Sequence, residues 1–475
     1  MKIIQKLLLI LSPISVLAQT KNAVHPYTVL THVNVIDATG SPVQSDMSVV
    51  IKGNRILALE KTSKIEIPKN AVKINASGKY LIPGLWDMHV HVFNNISKTP
   101  PDEADFSLYI ANGVTGIREM WTQIDEMSQV DLWRKQFYKQ PGTIPRIGAV
   151  GTMVDGSPPD WPNSETAKTE AEARLIVKRI KAAGIDFVKV YNRLSKEVYF
   201  AIADEANKQH IPFAGHVPHH NILKEVADAG QLSIEHLTGS RIIFDEDCST
   251  FVAETKKELP DAIKAGSPVV PIMEQAQELC DEKKALDLFQ YLAERHVWEC
   301  PTTVLYQRFA IDSAKLFGDY RLKYISLPER LVWKKQTGER IKDVSSKILD
   351  RALKQIALMK KAGIQFLAGT DVDNDYLYPG FSLHDELALF VDAGFTPMEA
   401  LQTATINPAR FLGTTDSLGT IEKGKIADMV LLNSNPLTDI HYTQMIEAVF
   451  VNGKYLSKKI LQTMLLKVEA TAYKK

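Results

Sequence analysis

Leu81-Ile-Pro-Gly-Leu-Trp-Asp-Met-His-Val-His-Val92 reads as an apolar β-strand into which two histidines, His89 and His91, are set. Residues two apart on a strand point to the same side, so both imidazoles face one way. A strand buried on both faces of a parallel sheet is otherwise almost wholly apolar, and a histidine pair at its C-terminal end suggests a metal site. Alone, the His-x-His pattern is a weak signal. It gains weight because Lys189, His216, His236 and Asp371 follow, each at the end of its own apolar, strand-like run.

Working outward, strand-like runs at residues 85–92, 113–118, 146–150, 185–190, 211–216, 231–236, 296–304 and 364–371 are interleaved with helical stretches such as 170–183, 196–209 and 221–229. Eight strands with helices between them predict an α/β fold, a (β/α)8 TIM barrel, whose chemistry gathers at the C-terminal ends of the strands. The long connections after the sixth and seventh strands are of the kind that builds pocket walls or lids. Residues 27–82 have a different texture, short strands punctuated by Gly53 and Gly78, and it returns at 419–424, 427–432 and 447–453. This predicts a small β-sandwich domain formed by both chain termini. The expected division is 1–18 signal peptide, 19–82 first sandwich part, 83–412 barrel and 413–475 second sandwich part.

Composition narrows the function classes. At 475 residues with 24% charged side chains, the chain is a folded soluble type too long for one compact core. Its 56 basic and 56 acidic residues cancel, with no basic stripe, so nucleic-acid binding has no support. Lys2 and Lys6, an apolar run from Leu7 and the Val16-Leu17-Ala18 motif before Gln19 read as a secretion signal. The run is short and broken by Pro13, so a stable membrane anchor is not expected. The mature chain is expected to be exported, to the periplasm or the exterior. Cys248 and Cys280 flank one polar segment, and both a bridge and free thiols fit them, whereas Cys300 reads as a strand residue and not a ligand.

Four histidines and one aspartate suit zinc or a similar divalent metal. Two cations ~3.5–4 Å apart need a bridging anion. A free lysine has no acceptor, but Lys189 carbamylated by CO2 carries a carboxylate able to span both ions. That requires Lys189 to be buried and neutral when it reacts.

Pro83-Gly-Leu-Trp-Asp-Met-His-Val-His91, Lys189, Gly215-His216, Glu235-His236 and Gly369-Thr-Asp371 resemble the amidohydrolase superfamily of metal-dependent hydrolases. So do the stretches from Phe381 to Leu387, from Thr396 to Leu401, from Thr405 to Ala409 and from Gly419 to Val430. The resemblance covers nearly the whole mature chain and is strongest to the imidazolonepropionase-like and Xaa-Pro dipeptidase branch. It implies that His89, His91 and Asp371 hold one ion, that His216 and His236 hold the second, and that the Lys189 carbamate bridges them. Imidazolonepropionase itself uses one metal and no bridging lysine, so Lys189 argues against that activity.

The resemblance further implies a peptidase acting on short peptides or N-acyl amino acids. A bridging hydroxide would attack the carbonyl, and Asp371 would take its proton and pass it to the leaving nitrogen. Lactone, cyclic amide or phosphoester cleavage is the alternative on the same centre. A binding protein without turnover is the alternative of another class, opposed by the complete ligand set. The expected partners are thus a small-molecule substrate and, as a homo-oligomer, further copies of the chain. Tyr191, two residues after Lys189, either bonds substrate or packs at the rim. Arg118 either binds a substrate carboxylate or pairs with Glu119. His219 and His220 lie on a loop after His216, facing substrate or solvent, and His384 has a structural or a substrate role.

Overall fold

The computed structural model describes residues 27–93, 103–238, 282–339 and 347–473. The signal segment, Cys248 and Cys280 lie outside the described residues.

Two sheets organise the chain. The first comes from both ends: β1 (Tyr27–Val35), β2 (Gln44–Lys52), β3 (Arg55–Lys61), β4 (Ala71–Asn75) and β5 (Tyr80–Pro83), joined by the C-terminal strands. The second holds β6 (Leu85–Val90), β7 (Val114–Glu119), β8 (Arg146–Asp155), β9 (Glu165–Thr166), β10 (Phe187–Val190), β11 (Phe213–Gly215), β12 (Ser233–Glu235), β13 (Trp298–Cys300) and β14 (Gln365–Phe366). The C-terminal strands are β15 (Met429–Leu432), β16 (Ile446–Val451) and β17 (Lys454–Ser457).

The second sheet is parallel throughout and runs in chain order, β6-β7-β8-β10-β11-β12-β13-β14, with β9 against β8. Parallel neighbours in chain order require a crossover each time, and helices supply it. Glu170–Ala182 shows how the sequence specifies one. Thr169 and Glu172 form a reciprocal capping box at its start, and Ala173, Ile176, Val177 and Ile180 are the buried stripe at helical spacing. Burying each large aliphatic there contributes about 1.5–3 kcal/mol, so a charge at Ile180 would undo the docking. All strand C-termini consequently emerge at one end of the sheet. Beyond β14 the chain lies along β6: the Met88 N–H donates to the Ala368 carbonyl (2.9 Å), the Asp371 N–H to the His89 carbonyl (2.8 Å), and Val90 bridges Val372 in parallel.

The last strands are shorter than the apolar runs suggest. β14 covers only two residues of the expected 364–371, because Ala368 turns its N–H to the Thr403 carbonyl and Asp371 adopts a left-handed backbone (φ 59°). β13 stops at Cys300, ahead of Thr302, which is also left-handed (φ 46°). Residues 419–424, expected as a strand, form turns whose backbone groups pair with Asp37 and Ile56.

In the first sheet, β5 accepts β15 on one side and β1 on the other, which is how residues nearly 350 positions apart become neighbours. Its far edge returns as well: Ile56 and Lys425 exchange a backbone hydrogen bond (2.9 Å) and Arg55 bridges Ile426. Period-two alternation separates two cores. Met429, Leu431, Ala448 and Phe450 pack with Leu30, Val49 and Leu81, while Val430, Leu432, Val449 and Val451 join the large core over the parallel sheet. A helix, Lys458–Ala472, ends the described chain and sets Val468 against Ala104 and Leu108. No helix among the described residues is long and apolar enough to cross a membrane.

Candidate metal centre

His89 is the penultimate residue of β6 and His91 follows its end, so the strand's period aims both rings alike, as read from the sequence. Both converge on one oxygen: Asp371 Oδ1 lies 2.8 Å from His91 Nε2 and 3.2 Å from His89 Nε2, the latter without hydrogen-bond alignment. The approach depends on Gly369, where a Cβ would sit 2.6 Å from Cys300 Sγ and 2.8 Å from His89 Cβ. Asp87 secures the junction, accepting the His89 N–H (3.3 Å), the Thr370 N–H (3.1 Å) and the Thr370 hydroxyl (2.7 Å).

The second pair comes from β11 and β12. Gly215, at φ 129° and with the Val190 carbonyl 2.3 Å from where a Cβ would lie, lets His216 follow the strand closely. His236 has a left-handed backbone (φ 61°), as does Leu237. Such conformations cost of order 1–3 kcal/mol each and cluster at functional sites. His216 Nδ1 bonds Asn192 Oδ1 (2.7 Å) and His236 Nδ1 bonds Thr302 Oγ1 (2.6 Å), leaving Nε2 of each as the ligand nitrogen. The His89 and His236 ring centres are 4.4 Å apart, and those of His216 and His236 5.0 Å, so the two pairs share one site.

The donor set fits divalent cations. His89, His91 and Asp371 present ligand atoms within 4.8 Å of one another. His89 Nε2 and His91 Nδ1 are buried without a hydrogen bond, a condition costing about 1–3 kcal/mol per group. Burial holds His91 down at about 4 and His236 well below its ordinary value, so both rings are neutral, the ligating form, at pH 7. Burial pushes the Asp371 carboxyl up, but its imidazole neighbours His236, His89 and His91 outweigh this and keep it ionised. A second grouping of His89, Glu235 and Cys300 is filled by protein contacts instead, since His89 Nδ1 already bonds Glu235 Oε2 at 2.7 Å.

Lys189, on β10, is 1% exposed. Burial pulls its pKa down to about 8, against the raising charges of Asp371, Glu235 and Glu119. The neutral form is therefore more accessible near pH 7 than for an exposed lysine. Its Nζ lies 5.5 Å from the centre of the Tyr191 ring. Tyr191 packs on His216 with ring centres 4.1 Å apart and accepts a hydrogen bond from Trp161 Nε1 (3.0 Å).

Arg118 lies apart from any open pocket surface. It is 1% exposed and points into the sheet interior, where Nε donates to the Met88 carbonyl (2.5 Å), one terminal nitrogen to Ser233 Oγ (3.0 Å) and the other to both Glu235 oxygens (2.9 Å). Those donors are engaged by protein groups, and its carboxylate partner is Glu235 and not Glu119. Glu119 instead accepts the Val92, Phe93 and Trp121 N–H groups, and burial pushes it up to about 8. His219 and His220 are exposed on the loop. His384 is buried between Thr443 Oγ1 (2.9 Å) and the Asn112 carbonyl (3.0 Å), a structural place.

In the sequence Glu235 is marked only as part of the Glu235-His236 motif, with no sign of its role. It links Arg118 to His89 Nδ1, and burial, which raises it, is overcome by those two partners, which hold it below the ordinary carboxylate range. A carboxylate behind a metal-ligating histidine fixes the ring and raises its basicity. Asn192, Thr302 and Asp87 were missed too. Position gave a signal for Glu235, which immediately precedes His236, and a weaker one for Asp87, two residues before His89; Asn192 and Thr302 adjoin no strand-end histidine or lysine.

The chain is similar to known proteins in sequence and in fold. The sequence profile of the Amidohydrolase family matches residues 80–456. An imidazolonepropionase of Fusobacterium nucleatum is 31% identical over 109 residues, 21% of this chain and 25% of its own length, so the match spans about a quarter of that relative. A solved Xaa-Pro dipeptidase with methionine bound in its active site superposes with a TM-score of 0.61 at 17% identity, covering 91% of this chain and 100% of its own. A putative prolidase from Bifidobacterium longum gives 0.64 at 22% identity, covering 94% and 99%. At these identities the solved structures establish likeness of fold.

Proposed function

From the premise that the chain belongs to the amidohydrolase family, as the match over residues 80–456 shows, we propose that it is an exported binuclear-metal hydrolase of amide bonds in short peptides or N-acyl amino acids. His89, His91 and Asp371 would hold one divalent cation, zinc by donor type, and His216 and His236 the other. Carbamylated Lys189 would lie between them. In forming it, the ammonium would first give up one proton, the neutral Nζ would attack CO2 and a second proton would leave, so that the lysine changes from cation to anion with two protons released. When bound, the cations polarise the scissile carbonyl and lower the pKa of a nearby water.

The chain's own groups then divide the work. Asp371 takes the proton of the attacking water and delivers it to the leaving nitrogen. Tyr191, beside both Lys189 and His216, positions the substrate carbonyl or carboxylate. Glu235 and Asn192 keep His89 and His216 in place. The contacts of residues 368–372 with β6 support closure of the parallel sheet into a full (β/α)8 barrel, spanning 83–412, with the sandwich parts at 19–82 and 413–475.

The convergence of His89 and His91 on Asp371 Oδ1, with two buried nitrogens lacking hydrogen bonds, carries this reading. The dipeptidase and prolidase among the similar structures support an amide substrate. The test is a panel of dipeptides, N-acyl amino acids, lactones and phosphotriesters given to zinc-reconstituted protein. Amide turnover that disappears with a chelator and returns with zinc is expected. Turnover by metal-free protein, or cleavage of lactones or phosphotriesters alone, would overturn the proposal.

A further inference from the structure

The four histidines form only half of a closed circuit of rings. From His91 it runs to Trp121 (6.2 Å between centres), to Trp161 (5.9 Å), through the Trp161 Nε1 hydrogen bond to the Tyr191 hydroxyl (3.0 Å), and to His216 (4.1 Å). It returns through His236 and His89 to His91. The metal-ligand arc is polar. The opposite arc, Trp121–Trp161–Tyr191, is aromatic and spans from one histidine pair to the other.

Within that arc Trp121 is buried, whereas Trp161 keeps 40% of its surface exposed. An exposed indole usually turns freely, but this one is pinned. Asp155 accepts the N–H groups of Gly156 (2.8 Å), Asp160 (2.9 Å) and Arg193 (2.7 Å). Asp160, next to Trp161, pairs with the Arg193 side chain and accepts from the Asn192 amide (2.8 Å). The same Asn192 holds His216 through its other atom. Trp161 is therefore fixed relative to a ligand histidine by two routes, its indole N–H on Tyr191 and its backbone neighbour on Asn192. A rigid, partly exposed aromatic face offers large contact area at little entropic cost.

We infer that Trp161, backed by Trp121 and flanked by Tyr191, is a substrate subsite for a planar apolar group, an aromatic ring, carried close to the scissile amide. This rests on the hydrolase reading of the site and narrows its substrate class: an aromatic peptide or N-acyl residue is preferred over one bearing a small side chain.

Two inert probes test it: benzylphosphonate and ethylphosphonate, each titrated into zinc-loaded protein by calorimetry. The wild type should bind the benzyl compound roughly tenfold more tightly or better, as ring stacking added to ring burial predicts. Trp161→Ala should reduce the preference to about twofold at unchanged zinc content, and Trp161→Phe should retain most of it. Trp161→Leu, which keeps bulk without a ring, decides the matter if the alanine variant does not fold, and should also lose the preference. Equal affinities in the wild type, no binding of either probe, or an undiminished preference in both the Ala and Leu variants would overturn the inference. A retained benzyl preference in a protein that cleaves no amide would break the hydrolase reading and leave the subsite standing. Amide cleavage with equal probe affinities would do the reverse.

Discussion

The two histidine pairs are built differently although they lie side by side. His89 and His91 converge on one carboxylate, Asp371, and His89 is backed by a second, Glu235, which is itself locked to the buried Arg118. His216 and His236 rest on neutral groups, the Asn192 amide and the Thr302 hydroxyl. Charge behind an imidazole strengthens it as a ligand far more than a neutral hydrogen bond does. On the proposed reading the first pair would hold a cation by itself, whereas the second would depend on an additional anion, which carbamylated Lys189 would supply.

The largest expected effect strikes the carboxylate that both functions share. Asp371→Asn keeps the shape but removes the proton acceptor and a ligand charge, so turnover should fall by at least ~10²–10⁴-fold in steady-state kinetics of the zinc-loaded protein. A near-normal rate would assign the base elsewhere and remove the asymmetry between the pairs.

Next come the groups behind the ligands. Glu235→Gln should weaken the tighter zinc ion by roughly 10–100-fold in chelator competition. It should also lower the melting temperature, since a buried Arg118 without its counter-charge costs about 3–5 kcal/mol. Asn192→Ala should weaken only the looser ion. Loss of the tighter ion in Asn192→Ala, with the looser one unchanged, would invert the comparison.

The smallest effect lies away from both pairs and serves as a control. Burial lowers His384 from 6.5 to about 4. Between those values the unfolded chain takes up a proton that the folded chain refuses. Stability is therefore undiminished above about pH 6.5 and falls as pH drops toward 4, by up to ~1.4 kcal/mol per pH unit from this group. Chelator-treated His384→Asn should show a shallower decline of melting temperature with acid than the wild type, and its zinc binding at pH 7 should be unchanged. An identical slope would mean that His384 does not titrate on unfolding.

The difference between the pairs was only partly legible in the sequence. Ligand candidates stood out because a polar residue at the tip of an apolar run breaks a simple local pattern, as at His89, His91 and Asp371. Gly215 and Gly369 were readable as motif residues, and their reason, room for Val190 and His89, is visible only in three dimensions. The support behind the ligands was illegible. Arg118 on β7 meets Glu235 on β12 across the sheet interior, 117 residues away, and nothing local marks which acid an arginine will choose. Short strand ends were missed for the same reason: the turns at Thr302 and Asp371 are left-handed because tertiary contacts hold them there, against local preference. The two-ended sheet was legible from its strand texture, whereas residues 419–424 resembled a strand and serve as a turn.

Metal content tests the central claim most directly. Wild type, Lys189→Ala and Lys189→Arg, each reconstituted with excess zinc and bicarbonate and freed of loose metal, are analysed for ions per chain. About two ions are expected in the wild type and about one in each variant, because alanine offers no anion and guanidinium stays cationic. Two ions at unchanged affinity in Lys189→Ala would contradict it, and would show that the second histidine pair needs no bridge from this lysine.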